Sequence, residues 1–226
     1  ALHDPTSVLE RFTYGKEKYI NYLYSALLQH VRKDNIVYHG LAGQYFLRDI
    51  SHVLKVRIIA DMQARVREEM RRENISEEKA LYILQKDDEE RRKWGLQVYG
   101  TDTWDSRPYD IVLHIGRLTV DDAVDILFDT VKKPNFQATE ESRKLVNDLA
   151  LSAKVKANLA KIAPKIQVLA DHGSIHIRNM DKTPGSSDEA QMKKIAMQIE
   201  GVEEVIFSVS ASREQHDYIN PFHNIG

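Results

Sequence analysis

The chain contains no cysteine, which excludes a disulfide framework, a thiolate zinc site and a cysteine nucleophile. Long apolar runs are missing too. The longest are a few residues, such as 58–60, against the roughly 20 that a membrane-spanning helix needs. Residues 1–4 offer neither a basic start nor an apolar core, so no signal peptide is read there and a cytoplasmic address is expected. No excess of one charge exists: 32 Lys and Arg stand against 34 Asp and Glu, a net −2. Neither nucleic acid nor an anionic membrane is therefore an expected partner. Glycine is scarce. The ten residues are scattered, with no two closer than Gly40 and Gly43, and no G-x-x-x-x-G-K-[ST] phosphate loop occurs. What is present is 226 residues, 42% hydrophobic and 29% charged, enough for one large globular domain or two small ones.

The first half alternates strand and helix. Apolar residues at helical spacing predict a helix over 16–31, stopped by Asp34 and Asn35. Short strands are expected at 36–41 and 53–60, the second rich enough in Val and Ile to be buried. Helices follow over 61–73 and 76–93, the latter capped by Ser76 with Glu77 and Glu78 in its first turn. A turn-rich stretch, 100–108, leads to a strand at 109–115. Thr119 then caps a helix over 120–131, where Val120, Ala123, Val124, Leu127 and Val131 predict a buried stripe. The alternation argues for a parallel α/β sheet.

After Pro134 the pattern changes. A long helix is expected over 139–162, then strands at 166–170 and 174–178 joined by the hairpin turn Asp171-His172-Gly173. A loop over 180–187, a helix over 188–200 ended by Gly201, and a strand over 202–209 complete an α-β-β-α-β unit. Residues 212–226 read as a tail without periodicity. Asp171, His172 and His176 read as a polar hairpin face, and no metal site is assigned.

Eight consecutive charges, residues 86–93, are the most unusual local feature. They read either as a solvated helix end laced with i,i+4 pairs such as Lys86 with Glu90, or as an arm closing over a polyanion. Phosphoryl transfer asks little covalent chemistry of a protein and much positive charge around the migrating group. Residues 53–60, Arg65, 76–80, 86–94, the Tyr109-Asp110-Ile111-Val112 strand and 118–123 together resemble the second half of a cytidylate kinase-like domain. In that family a strand precedes a helix carrying an arginine, then a lid helix with a D-D-x-x-R pattern, a Tyr-Asp-hydrophobic strand and an L-[ST]-x-[DE]-x-A helix. The resemblance implies a nucleoside monophosphate kinase fold and ATP- and Mg2+-dependent transfer to a CMP-like nucleotide. It makes Arg65, Lys86, Arg91 and Lys93 lid cations toward phosphates. It places Glu90 near the sugar, and Asp87, in the lid pattern, with the nucleotide-binding residues. Gly40 stands where the family's strand ends in Gly-Arg, but Leu41 follows it in place of the arginine. Lys86 and Lys93 stand where arginine is usual, without its planar bidentate contact. His114 lies near a strand's carboxyl end, where open α/β sheets bind ligands.

In this fold family the strand feeding the phosphate loop lies mid-sheet, between those matching 36–41 and 53–60. The expectation is therefore a truncated piece of a longer protein whose first part carries that strand and loop. Such a chain is expected to be inactive alone, whether or not its parent is an enzyme. The rival reading is a degenerate kinase fold serving as a nucleotide-sensing or protein-interaction module. The second unit resembles a BON-like domain through residues 155–159, 166–177 and the Gly201-Val202-Glu203-Glu204-Val205 run, and implies a regulatory or dimerising role. The expected domains are 1–133, kinase-like, and 134–211, BON-like, with homo-oligomerisation through the second or through the open sheet.

Overall fold

The computed structural model describes residues 19–40, 43–160, 162–163, 166–179 and 185–208. They form two compact units, one from residues 19–37 with 139–208 and the other from residues 38–138.

The first unit is built on a three-stranded sheet, its strands lying side by side in chain order. β3 (Ile166–Asp171) and β4 (Ser174–Asn179) form an antiparallel hairpin, and β5 (Glu204–Phe207) lies parallel to β4. At the turn His172 and Gly173 have φ of 47° and 84°, the two left-handed residues that a tight hairpin requires. Alternate residues bury one face: Ile166, Val168, Ile175, Ile177 and Val205 pack with Val155 and Leu159 of α6 (Glu140–Leu159) and Met192 and Ala196 of α7 (Ser186–Ala196). Each fully buried Ile or Leu contributes about 1.5–3 kcal/mol. A capping box between Thr139 and Ser142 starts α6. Residues 19–31 form α1, which buries Ile20, Leu27, Leu28 and Val31. It meets α6 through Gln29 Nε2 donating to the Ala150 carbonyl (3.2 Å) and Arg32 Nε donating to Asn147 Oδ1 (2.9 Å).

The second unit begins with the single turn α2 (Gly43–Phe46) and holds two parallel strands. β1 (Val56–Ala60) pairs with β2 (Ile111–Ile115) from Val56↔Ile111 to Ala60↔Ile115. Parallel neighbours need a crossover, supplied here by α3 (Met62–Glu73) and α4 (Glu77–Tyr99). The register is pinned where Asp110 Oδ2 accepts from the Lys55 amide at 2.7 Å and meets Lys55 Nζ at 3.2 Å. Capped by a Thr119–Asp122 box, α5 (Val120–Val131) follows β2, and a 3-10 turn (Pro134–Phe136) ends the unit.

The parallel α/β arrangement agrees with the sequence, and several local readings do not. Residues 36–40 are irregular rather than a strand, while Leu41 and Ala42 lie outside the described residues. Asp34 and Asn35 both take left-handed φ (57° and 51°), and Val37 beyond them is 99% exposed. β-branched residues favour a strand only where a neighbour packs against them. β1 is shorter than 53–60, and Ile58 and Ile59 are exposed, not buried. α4 runs six residues past Lys93 until Gly100, in left-handed geometry at φ 64°, stops it, so Trp94 and Tyr99 belong to the helix. The stripe of α5 is not buried: only Ala123 is, and Val120, Val124 and Val131 face solvent. Ile162 is exposed beyond the end of α6, and α7 stops before residue 200. The loop residues 180–184 and Val209 onward lie outside the described residues.

Candidate functional site

The charged segment occupies the middle of α4, which turns three of its four acids inward and leaves Glu89 exposed among the cations. Asp87, Asp88 and Glu90 are half-buried, whereas Lys86, Arg91, Arg92 and Lys93 are exposed. The segment is thus not solvated on every face, as its composition implies. Its inner, acidic side packs toward α3, whose Arg65 lies one turn into the helix after Asp61.

Arg65 and Asp88 meet as a planar two-point pair. Arg65 Nη1 donates to Asp88 Oδ2 at 2.6 Å and Nη2 to Oδ1 at 2.8 Å. The Asp88 bond, with the charges of Asp88, Asp87 and Glu69 behind it, holds the guanidinium above its ordinary pKa against the opposing effect of burial. A phosphoryl group offers two oxygens in the same geometry, so Asp88 fills the face of Arg65 that a phosphate would take.

The remaining cations are largely matched within the helix or its loop. Lys86 Nζ lies 3.9 Å from Glu90 Oε1 and Lys93 Nζ 2.7 Å from Glu89 Oε1. Arg92 donates to Asp102 at 2.8 Å and 2.9 Å and lies 4.6 Å over the Trp104 ring. Asp102, bonded by Arg92 and by the Trp104 amide, is held below the usual carboxylate range. Arg91 has no ion pair among the described residues, and so remains free for an anion. Glu90 Oε2 is buried without a hydrogen-bond donor, an acceptor available for a ligand hydroxyl.

At the carboxyl end of this helix, Tyr99 stacks on Tyr45 at 4.1 Å and meets Trp94 and Phe46 edge-on. Burial raises the phenol pKa of Tyr99 and of Tyr45. Gly40 lies against the Tyr38 ring, where a Cβ would run into the hydroxyl. His114 does not pair with Asp110. Its Nε2 lies 3.3 Å from Asp61 Oδ1, the residue following β1, so the two side chains meet at the carboxyl ends of adjacent parallel strands. Sequence reasoning missed Asp88 and Asp61. Asp88 was visible as the second acid of the D-D-x-x-R pattern, while Asp61 carried no signal beyond its place after a strand.

Residues 4–117 match the model of the cytidylate kinase-like family. A cytidylate kinase from Sulfolobus acidocaldarius is 24% identical over 106 residues, covering 47% of this chain and 58% of the relative. The chain thus spans a little over half the length of that curated relative. An uncharacterized protein from Eubacterium ventriosum, known from a crystal structure, shows 27% identity over 46% of this chain and 62% of its own, with a TM-score of 0.42.

Proposed function

This chain belongs to the cytidylate kinase-like family, and on that premise we propose that residues 1–133 supply the nucleoside monophosphate side of an ATP-dependent phosphoryl-transfer site. In this reading the substrate is CMP-like and the full-length protein performs the transfer. Arg65 and Arg91 face the phosphates, assisted by Lys86 and Lys93. Glu90 receives a sugar hydroxyl on its buried, donor-free oxygen, and Asp87 tunes the field around Arg65. Gly40 and His114 border the nucleotide from the preceding loop and the sheet end. The observation that carries the reading is the two-point pair of Arg65 on α3 with Asp88 on α4, a planar two-oxygen contact that a phosphate would make with Arg65 by displacing the carboxylate.

The family's chemistry implies ATP and magnesium. The residues of this chain do not fit that half of the reaction. The sequence has no phosphate loop, and the described residues hold no group of three acids or histidines able to bind a metal. In this reading the transfer is performed by the full-length protein and is not expected of this chain alone. Residues 134–211 are read as a BON-like regulatory or dimerising module, supported by their α-β-β-α-β order. No described helix is long and apolar enough to cross a membrane, and the cytoplasm is the proposed location.

Calorimetry with CMP and with ATP tests the reading. CMP is expected to bind and ATP is not. Binding of neither would favour the second reading, a degenerate kinase fold used as a protein-interaction module. That alternative draws on the pairing of three of the four exposed lid cations, Lys86, Arg92 and Lys93, with carboxylates.

A further inference from the structure

The helix α5 carries more apolar surface than its own unit covers. Ala123 is buried and Leu127 half-buried. Yet Val120, Val124, Phe128 and Val131 are 66%, 56%, 58% and 42% exposed. At about 100° per residue these four fall within one arc roughly 80° wide. Asp121, Asp125 and Asp129, all exposed, recur every fourth residue and form a column along the Phe128 side of that arc. The chain itself shows what the rim between stripe and column accepts. Lys132 Nζ lies 3.5 Å over the Phe128 ring and 3.8 Å from Asp129 Oδ1, a cation held by a ring face and a carboxylate together.

We propose that this face of α5 docks an amphipathic helix whose apolar stripe is bordered by lysine or arginine. The apolar residues, spaced i, i+4, i+8 and i+11, match the ridge of a packed helix partner. The aspartate column sets its orientation, with partner cations seated as Lys132 is. An antiparallel second copy is a poor occupant, because it brings both aspartate columns to the same seam, and a parallel one leaves each column without a cation to meet. A lipid surface is disfavoured for the same reason, since interfacial helices carry basic rather than acidic borders. This docking face is independent of the nucleotide reading above.

The test uses the whole chain and two synthetic 18-residue peptides. Each presents leucine at i, i+4, i+8 and i+11, and they are bordered by lysine in one and glutamate in the other. Fluorescence anisotropy is expected to show saturable binding of the lysine peptide, at least about tenfold tighter than the glutamate peptide. The double variant Val124→Ser/Phe128→Ser should lose that binding. Asp125→Asn/Asp129→Asn should keep binding but lose the preference. Asp122 is left intact because it caps the helix, and unchanged circular dichroism establishes that each variant is folded. Absence of saturable binding, or equal binding of both peptides, would overturn the proposal. So would sedimentation showing a dimer that Val124→Ser/Phe128→Ser dissociates.

Discussion

Replacing Asp88 by asparagine and Arg65 by methionine, singly and together, isolates the pair at the centre of the candidate site. The two side chains meet at 2.6 and 2.8 Å, and each is 28% exposed. With charge centres about 4 Å apart, the attraction is about 1 kcal/mol in water and about 4 kcal/mol at an effective dielectric near 20. Partial solvent access and the cost of desolvating both groups bring the net coupling to roughly 1–2 kcal/mol. Methionine keeps the packing of the arginine stem, and asparagine keeps the shape of the aspartate. Each single variant is thus expected to lose about 1–2 kcal/mol, and the double variant less than their sum by about 1 kcal/mol or more. Urea unfolding followed by tryptophan emission suits the measurement. The chain has two tryptophans, Trp94 and Trp104, both in the unit formed by residues 38–138, so the signal reports that unit alone. Additivity within about 0.3 kcal/mol would refute the claim that the pair joins α3 to α4.

Two other perturbations address different parts of the fold. Gly173 and Gly201 both have positive φ, 84° and 94°, so alanine at either is expected to cost about 1–2 kcal/mol from the backbone. At Gly173 the new Cβ would also come within 2.9 Å of Glu203 Cγ and 3.1 Å of the Gly201 carbonyl, whereas at Gly201 it meets Leu151 at an ordinary 3.6 Å. Gly173→Ala should therefore be the more damaging, read by hydrogen exchange of the β3–β5 amides, and equal costs would argue against the steric part. Asp102 is depressed chiefly by its bond from Arg92 and then by the Trp104 amide. The contribution of its charge is complete above the ordinary aspartate value of about 3.9 and is lost as pH falls through the lower folded value. Trp104 emission should step in that acidic window, and Asp102→Asn should abolish the step; a step that survives the substitution assigns it elsewhere.

Periodicity made most elements legible because it depends only on the spacing of apolar residues along one segment. Whether a face is covered depends on a second segment, and α5 and α6 show the difference. Each reads as an amphipathic helix with a capped start, and both form as expected. The hairpin and β5 lie over Val155 and Leu159 of α6, while among the described residues of 38–138 none buries Val120, Val124 and Val131 of α5. Residues 36–40 fail for the same reason, as a β-branched run without a neighbouring strand gains nothing by extending. The charged run of α4 fails in the opposite direction. Eight charges suggest a helix end wholly in water, yet the position of Arg65 on α3 draws Asp88 inward and leaves the cations outside. The candidate cations were legible as residue types in a family pattern, but their pairing was not. Asp88 and Asp102 reach Arg65 and Arg92 from 23 and 10 residues away, beyond the three- or four-residue spacing at which a helix reveals its partners. An anion approaching this helix therefore meets cations already bound to carboxylates, with Arg91 as the exception. Its affinity is set by the cost of exchanging those partners, and not by the number of lysines and arginines in the segment.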